Sequence, residues 1–173
     1  IISKFQDIDL LIQLGKSIHE QNLPFHIIVI GQGNQDYKLK NDIPPVISYL
    51  GQKSYAEIPK LISRAHIGLS FRKKGKISED SFPVKTYEYL GVGIPIIVTP
   101  VSEAGEYVSA NDLGYQFDPA DIKGILNTIT QLANDPGLYA GIVENIKKVR
   151  NQFSREKMSD ILAAELRSMA SKP

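Results

Sequence analysis

The sequence predicts an α/β fold in which a parallel sheet lies between layers of helices. Short apolar segments rich in β-branched residues alternate with amphipathic segments along most of the chain. This alternation favours parallel pairing, because parallel neighbours are joined by long crossover connections that are usually helical. The 173 residues, 42% of them hydrophobic, suffice for one core and are short for two. We therefore expect a single Rossmann-like domain over residues 1–173.

The spacing of apolar residues predicts the individual elements. Over residues 5–19 they recur at three- and four-residue steps, which indicates a helix with one buried stripe. Residues 25–30 form a continuous apolar run, which predicts a strand buried on both faces. Further helices are predicted near residues 34–41, 55–64, 84–90 and 103–110, and further strands at 46–50, 67–71, 94–99 and 114–117.

The C-terminal part, about residues 119–170, is predicted to be helical. Asp118 and Asp135 each precede a proline. This pair is a strong helix start, because the carboxylate caps free amides and proline has no amide to lose. Two helices should therefore begin there, and a third should begin at Ser154 and end before Lys172.

The composition excludes several kinds of function. Lys and Arg number 20 against 19 Asp and Glu, so no overall field favours nucleic acid as a partner. The absence of cysteine excludes disulfides, thiolate metal sites and cysteine nucleophiles, and it is compatible with a reducing compartment. The chain begins abruptly in an amphipathic segment without a signal peptide, so we expect a fragment or excised domain.

Ligands of such sheets bind beyond the carboxyl ends of the strands, so the loops there are the candidate sites. Gly31 and Gly33 follow the first predicted strand, and neither brings a side chain that would keep a ligand away. A dinucleotide fingerprint would need a third glycine where Asp36 stands, which disfavours NAD. A tight strand-to-helix turn is the alternative explanation of the two glycines.

A second candidate site lies at the start of the helix predicted near residues 84–90. Pro83 can begin that helix, and its free amides and partial positive charge suit a diphosphate. Lys85 in the first turn opposes the helix dipole unless an anion binds there. Glu88 follows on the same face, and its carboxylate can accept two hydrogen bonds from the vicinal hydroxyls of a ribose. Alternatively, Lys85 and Glu88 form an exposed ion pair.

In this segment the sequence resembles the C-terminal, donor-binding domain of retaining GT-B glycosyltransferases of the family 4 type, the glycosyl transferases group 1. The resemblance extends over about residues 4–166. It rests on an ordered motif of a proline, a lysine, the tripeptide Glu-Tyr-Leu, a glycine and a second proline. These residues are Pro83, Lys85, Glu88, Tyr89, Leu90, Gly93 and Pro95.

The resemblance implies roles for individual residues. Asp80, at the position of the family's first glutamate, would contact the transferred sugar, with Glu79 beside it as the alternative if the register shifts by one. Lys85 would stabilise the departing diphosphate, and Asp80 and Lys85 are the expected catalytic residues. Lys4 would be what remains of the family's basic pair. Arg72, Lys73, Lys74 and Lys76 could contribute charge to the diphosphate, but a solvated basic loop is the preferred interpretation. No metal is expected. The residues expected to bind the donor are Gly31, Gly33, Gly51, Pro83, Val84, Lys85 and Glu88.

The resemblance also implies a function, retaining hexosyl transfer from a UDP- or GDP-sugar in polysaccharide or glycolipid biosynthesis. The acceptor, a sugar or lipid-linked sugar, would bind an N-terminal domain absent from this chain. No cofactor other than the donor substrate is expected. The expected location is the cytoplasm, with peripheral attachment of the full-length protein to the inner face of the cell membrane as an option.

Two alternatives remain open. The chain could be a non-catalytic Rossmann-like interaction or regulatory module that has lost donor binding, since Asp80 is shorter than the family's glutamate and the basic pair is incomplete. A nucleotide-sugar epimerase would need catalytic histidines, and the scattered His19, His26 and His66 fit that poorly.

Overall fold

A computed structural model describes residues 1–41 and 43–170. Within them the predicted α/β fold with parallel strands and packed helices is confirmed, although the strands form two sheets where one was predicted. The strands are β1 (Ile27–Val29), β2 (Ile47–Tyr49), β3 (Gly68–Phe71), β4 (Ile96–Thr99) and β5 (Gly114–Gln116). The helices are α1 (Ile8–Glu20), α2 (Ile58–Ile62), α3 (Lys76–Glu79), α4 (Val84–Val92), α5 (Glu103–Ala110), α6 (Ile122–Asn134), α7 (Pro136–Val149) and α8 (Arg155–Ala170).

The strands are divided between two sheets. β1 pairs with β2, and β4 pairs with β3 on one side and β5 on the other, all in parallel. All four residues of β4 are buried, because it is the central strand of its sheet and helices cover both faces. β1 differs from the prediction, since Ile28 is 55% exposed. One face of β1 is therefore open, and β4 is the strand buried on both faces.

Two hydrophobic clusters form the core. The first joins α1 and α6 to β1, β2 and the buried residues Phe71 and Ile97. The second lies under α4, α5 and α7 and contains Ile96 and Val98, whose side chains point to the other face of β4. Alternate side chains of one strand thus enter different clusters, as the period of a strand requires. β4 is the wall between the two clusters.

The helix ends mostly agree with the capping residues in the sequence. Asp135 Oδ1 accepts a hydrogen bond from the amide of Leu138 at 2.8 Å and caps α7, as predicted. The preceding helix begins later than predicted, because Asp121 rather than Asp118 caps α6. The predicted end of the last helix before Lys172 lies outside the described residues.

Three segments contain shorter helical elements than predicted, or a helical turn where a loop was predicted. Residues 36–39 form a single 3-10 turn, and the segment predicted as a helix over 55–64 is helical only in α2. The basic loop after β3 contains one helical turn, α3. No helix among the described residues combines the length and the apolarity that a membrane span requires.

Candidate functional site

The candidate site lies at the carboxyl ends of the strands. The loops after β1 and β2 contact each other there, and Arg72 after β3 contacts Ser81, just before the start of α4. α4 begins immediately after Pro83, which occupies the N-cap position and leaves the helix without a side-chain cap. The helix ends at Gly93, whose φ of 86° is left-handed and favours glycine. The predicted helix, its start and its glycine stop are therefore all present.

Lys85 occupies the first turn of α4 and is half-buried. Burial, together with the charge of Arg72, lowers the pKa of Lys85 to about 8, and the nearby Glu88 charge opposes this shift. No carboxylate makes a direct ion pair with Lys85 in the part of the chain that the structure describes. A desolvated ammonium without a contacting anion destabilises the folded protein, so the binding of an anionic ligand beside it is favourable.

Glu88 lies one turn after Lys85 on the same face and is also half-buried. It makes no direct ion pair with Lys85 within the described chain, so the exposed pair considered above is not formed. The next residue, Tyr89, donates a hydrogen bond to the carbonyl of Leu69 at 3.3 Å and packs its ring on Gly68. Burial, with the Glu88 charge second, raises the pKa of Tyr89 to about 12. Tyr89 therefore anchors α4 to β3 as a neutral phenol.

Arg72 follows β3 directly, in the segment for which a solvated basic loop was the preferred interpretation. Its backbone amide donates to the carbonyl of Thr99 at 3.0 Å, and it forms an antiparallel bridge with Gln6. These contacts hold Arg72 half-buried, whereas the following Lys73 and Lys74 are exposed and pair with acids elsewhere on the surface. Burial lowers the pKa of Arg72. The expectation of a solvated basic loop is therefore wrong for Arg72.

The glycines after β1 and β2 lie together at the neighbouring strand ends. The Gly31 amide donates to the carbonyl of Gly51 at 2.9 Å, and the Tyr49 hydroxyl donates to the Gly31 carbonyl at 2.9 Å. Gly51 has a left-handed φ of 66°, and a Cβ placed on it would meet no atom within 4 Å. The space beside Gly51 is thus open to a ligand.

Gly33 has a neighbour within the chain itself. A Cβ on Gly33 would lie 2.1 Å from the carbonyl oxygen of Ile2. The amide of Ile2 donates to Gln32 at 2.9 Å, so the N-terminal segment runs along this loop. That contact alone accounts for a glycine at position 33.

The N-terminal segment connects the two groups of residues. Ile2 contacts the loop after β1, and Gln6 bridges Arg72 beside Lys85. Lys4 lies between them, exposed, with its ammonium 5.5 Å from the centre of the Phe5 ring. The structure therefore brings Arg72 and Lys85 together, whereas the contact recorded for Lys4 is with the Phe5 ring.

Asp80 and Val84 are more peripheral. Asp80 is exposed and opens onto a groove of about 710 Å³ whose lining does not include Lys85 or Glu88. Val84, the first residue of α4, is 70% exposed. No group of three His, Asp or Glu side chains within residues 1–41 and 43–170 is arranged to hold a metal ion.

Solved structures share this fold. Alr3699/HepE from Anabaena in complex with UDP superposes with a TM-score of 0.78 and 21% identity over 96% of this chain and 46% of that protein. Sucrose-phosphate synthase from Thermosynechococcus elongatus superposes with a TM-score of 0.72 and 16% identity, over 98% of this chain and 43% of that protein. WaaG, a glycosyltransferase involved in lipopolysaccharide biosynthesis, superposes with a TM-score of 0.68 and 15% identity, over 91% of this chain and 44% of that protein. This chain spans less than half the length of each.

No curated protein matches this chain in sequence. The model of one family does match, and it covers residues 2–149, which include the whole α/β region and every candidate site residue. This chain belongs to the glycosyl transferases group 1 family.

Proposed function

We propose that this chain is the donor-binding domain of a retaining hexosyltransferase that uses a UDP- or GDP-sugar. The observation that carries the proposal is Lys85, a half-buried ammonium in the first turn of α4, which has no side-chain cap; no carboxylate of the described residues forms an ion pair with it. Helix amides and a desolvated cation together bind phosphate groups well. The family membership and the UDP complex of one structural neighbour support the same ligand class.

In this proposal each part of the donor has its own contacts. The diphosphate lies at the amides of Val84 and Lys85, and the ribose hydroxyls donate to the Glu88 carboxylate one turn along. The base lies in the open space beside Gly51. The transferred sugar extends away from Lys85 toward the groove on which Asp80 opens, and Asp80 contacts it there. Fixed dipoles and the Lys85 charge stabilise the departing diphosphate, so electrostatics is the main catalytic contribution.

The rest of the reaction is proposed to depend on further protein. The solved structures are more than twice as long as this chain, so we propose that an N-terminal domain binds the acceptor. The acceptor is a sugar or lipid-linked sugar of a cytoplasmic pathway that builds a polysaccharide or glycolipid, with the full-length protein attached peripherally to the inner face of the membrane. A neighbour involved in lipopolysaccharide biosynthesis supports this assignment.

Isothermal titration calorimetry with UDP and GDP tests the ligand. We expect the wild type to bind one of them, and Glu88→Ala to bind it about 10- to 100-fold more weakly, as the loss of hydrogen bonds to a charged group predicts. Glu144→Ala is the matched control, because Glu144 is an exposed acid on α7 paired with Lys147. Absence of binding to either nucleotide, or equal affinity of wild type and Glu88→Ala, would refute the proposal.

A second experiment separates transfer from binding alone. The intact protein is incubated with a donor labelled in its sugar and with membrane extract as a source of acceptors. Incorporation of label that Lys85→Met abolishes supports the transferase. Neither incorporation nor nucleotide binding would favour the regulatory module that has lost donor binding, and tight nucleotide binding without incorporation would contradict hexosyl transfer.

A further inference from the structure

We infer that Arg72 is a second anion-binding residue of the donor site and acts on the diphosphate together with Lys85. The inference rests on the proposed function and extends it to a residue outside the family motif. Arg72 lies in the sequence among exposed lysines, yet it alone is drawn inward at the end of β3.

The hydrogen bonds of the guanidinium are mostly unused. Nη1 donates to the hydroxyl of Ser81, and Nε is buried without a partner in the described chain. No carboxylate pairs with Arg72 among residues 1–41 and 43–170. A guanidinium has five N–H donors in a planar fork that matches phosphate oxygens, and within the described chain only Nη1 has a hydrogen-bond partner.

The position of the charge is also unfavourable unless an anion is present. Arg72 and Lys85 approach closely enough for the Arg72 charge to lower the pKa of Lys85, with Glu88 as the opposing charge. Two half-buried cations repel each other and lose hydration, which destabilises the free protein. A diphosphate between them would replace the lost hydration and cancel the repulsion.

The segment that carries Ser81 strengthens the argument. Ser81 lies two residues before the N-cap of α4, so its bond to Arg72 ties the end of β3 to the start of the helix. The guanidinium is therefore held beside the uncapped amides rather than extended into solvent. The competing explanation is that Arg72 only ties β3 to the start of α4. That role requires the hydrogen bond to Ser81 but not the positive charge of the guanidinium.

Calorimetry with UDP, uridine and pyrophosphate distinguishes the two explanations. We expect Arg72→Gln to weaken the affinity for UDP and for pyrophosphate about tenfold or more and to leave the affinity for uridine unchanged. The reason is that only the charge-assisted hydrogen bonds to phosphate are lost. Ser81→Ala removes the tether and keeps the charge, so it should stay within about threefold of wild type. Lys73→Gln removes the neighbouring exposed charge, which pairs with Asp9, and should change UDP affinity about twofold at most.

Three outcomes would overturn the inference. The first is that Arg72→Gln binds UDP as tightly as Lys73→Gln does. The second is that Arg72→Gln weakens the affinities for uridine and UDP by the same factor. The third is that Ser81→Ala loses as much UDP affinity as Arg72→Gln. The pyrophosphate measurements separate this inference from the proposed function. If wild type binds pyrophosphate in an Arg72-dependent way but no nucleotide, the proposed function fails and the anion site stands; if it binds neither, both fail.

The pH dependence gives a readout that a tether would not change. In the wild type, pyrophosphate affinity should fall above about pH 8, where Lys85 loses its proton. Arg72→Gln removes a repelling charge and leaves Glu88 as the group facing Lys85, so the fall should move to higher pH. An unchanged midpoint in Arg72→Gln would contradict a shared site.

Discussion

Replacing Lys85 by methionine is expected to stabilise the free protein at neutral pH. Burial and the Arg72 charge lower the pKa of Lys85 from 10.5 to about 8. Keeping Lys85 protonated in the folded state therefore reduces the free energy of unfolding. At about 1.4 kcal/mol per pKa unit, the cost is about 3 kcal/mol below pH 8, where both folded and unfolded states are protonated. Methionine keeps the apolar stem and removes the charge.

The gain should disappear as the pH rises. Between pH 8 and pH 10.5 the folded protein releases the Lys85 proton while the unfolded chain keeps it, so the free energy of unfolding of the wild type increases with pH. Methionine does not titrate. The advantage of Lys85→Met should therefore shrink to about 1 kcal/mol at pH 10.

Urea denaturation followed by circular dichroism measures the effect. With a slope of about 2 kcal/mol per M, a gain of about 3 kcal/mol moves the midpoint up by about 1.5 M at pH 7. Lys123→Met, which removes an exposed charge from α6, is the matched control and should change stability by about 0.5 kcal/mol at most. A midpoint of Lys85→Met equal to that of wild type at pH 7, or a gain of the same size at pH 7 and pH 10, would refute the burial of a charged lysine.

Three further predictions concern stability. Gly33→Ala should destabilise by about 1–3 kcal/mol in urea titrations, because its Cβ would lie 2.1 Å from the Ile2 carbonyl oxygen. Gly91→Ala, on the open side of α4, should instead stabilise by about 0.5–1 kcal/mol, and a loss in both variants would contradict the difference in space. Phe153→Ala should lower the calorimetric melting temperature by the equivalent of about 2 kcal/mol, since its ring contacts three aromatic rings around the start of α4; an unchanged melting temperature would show that this cluster is loose. Asp135→Ala should cost about 1 kcal/mol by the same measurement through the lost cap of α7, and Asp118→Ala, which caps no helix, should cost less.

Features with a local cause could be predicted from the sequence. The spacing of apolar residues predicted α1 and α5, and the pair Asp135 and Pro136 predicted the start of α7. Each depends on side chains within about one turn of each other. The Pro-x-Lys-x-x-Glu motif likewise placed Lys85 and Glu88 on one face of a helix that does form.

Burial was harder to predict, because it depends on elements that are distant in the chain. The apolar run containing Ile28 predicted a strand covered on both faces, yet no layer covers that residue and it is 55% exposed. At Gly33, by contrast, a distant segment is packed against the residue. Its sequence context allowed either ligand approach or a tight turn, and the backbone of Ile2, thirty-one positions earlier, accounts for the missing side chain.

By itself the sequence determined the order of the five strands and the longer helices, the family, and which residues stand in the first turn of α4. Each of these depends on periodicity, capping or an ordered motif, which neighbouring residues carry. Only the tertiary structure decided that Arg72 turns inward while Lys73 stays exposed, and that Asp80 opens onto a groove apart from Lys85. The physical reason is that desolvation and charge repulsion depend on which segments meet in space, and the bridge between Gln6 and Arg72 joins residues that no local pattern connects.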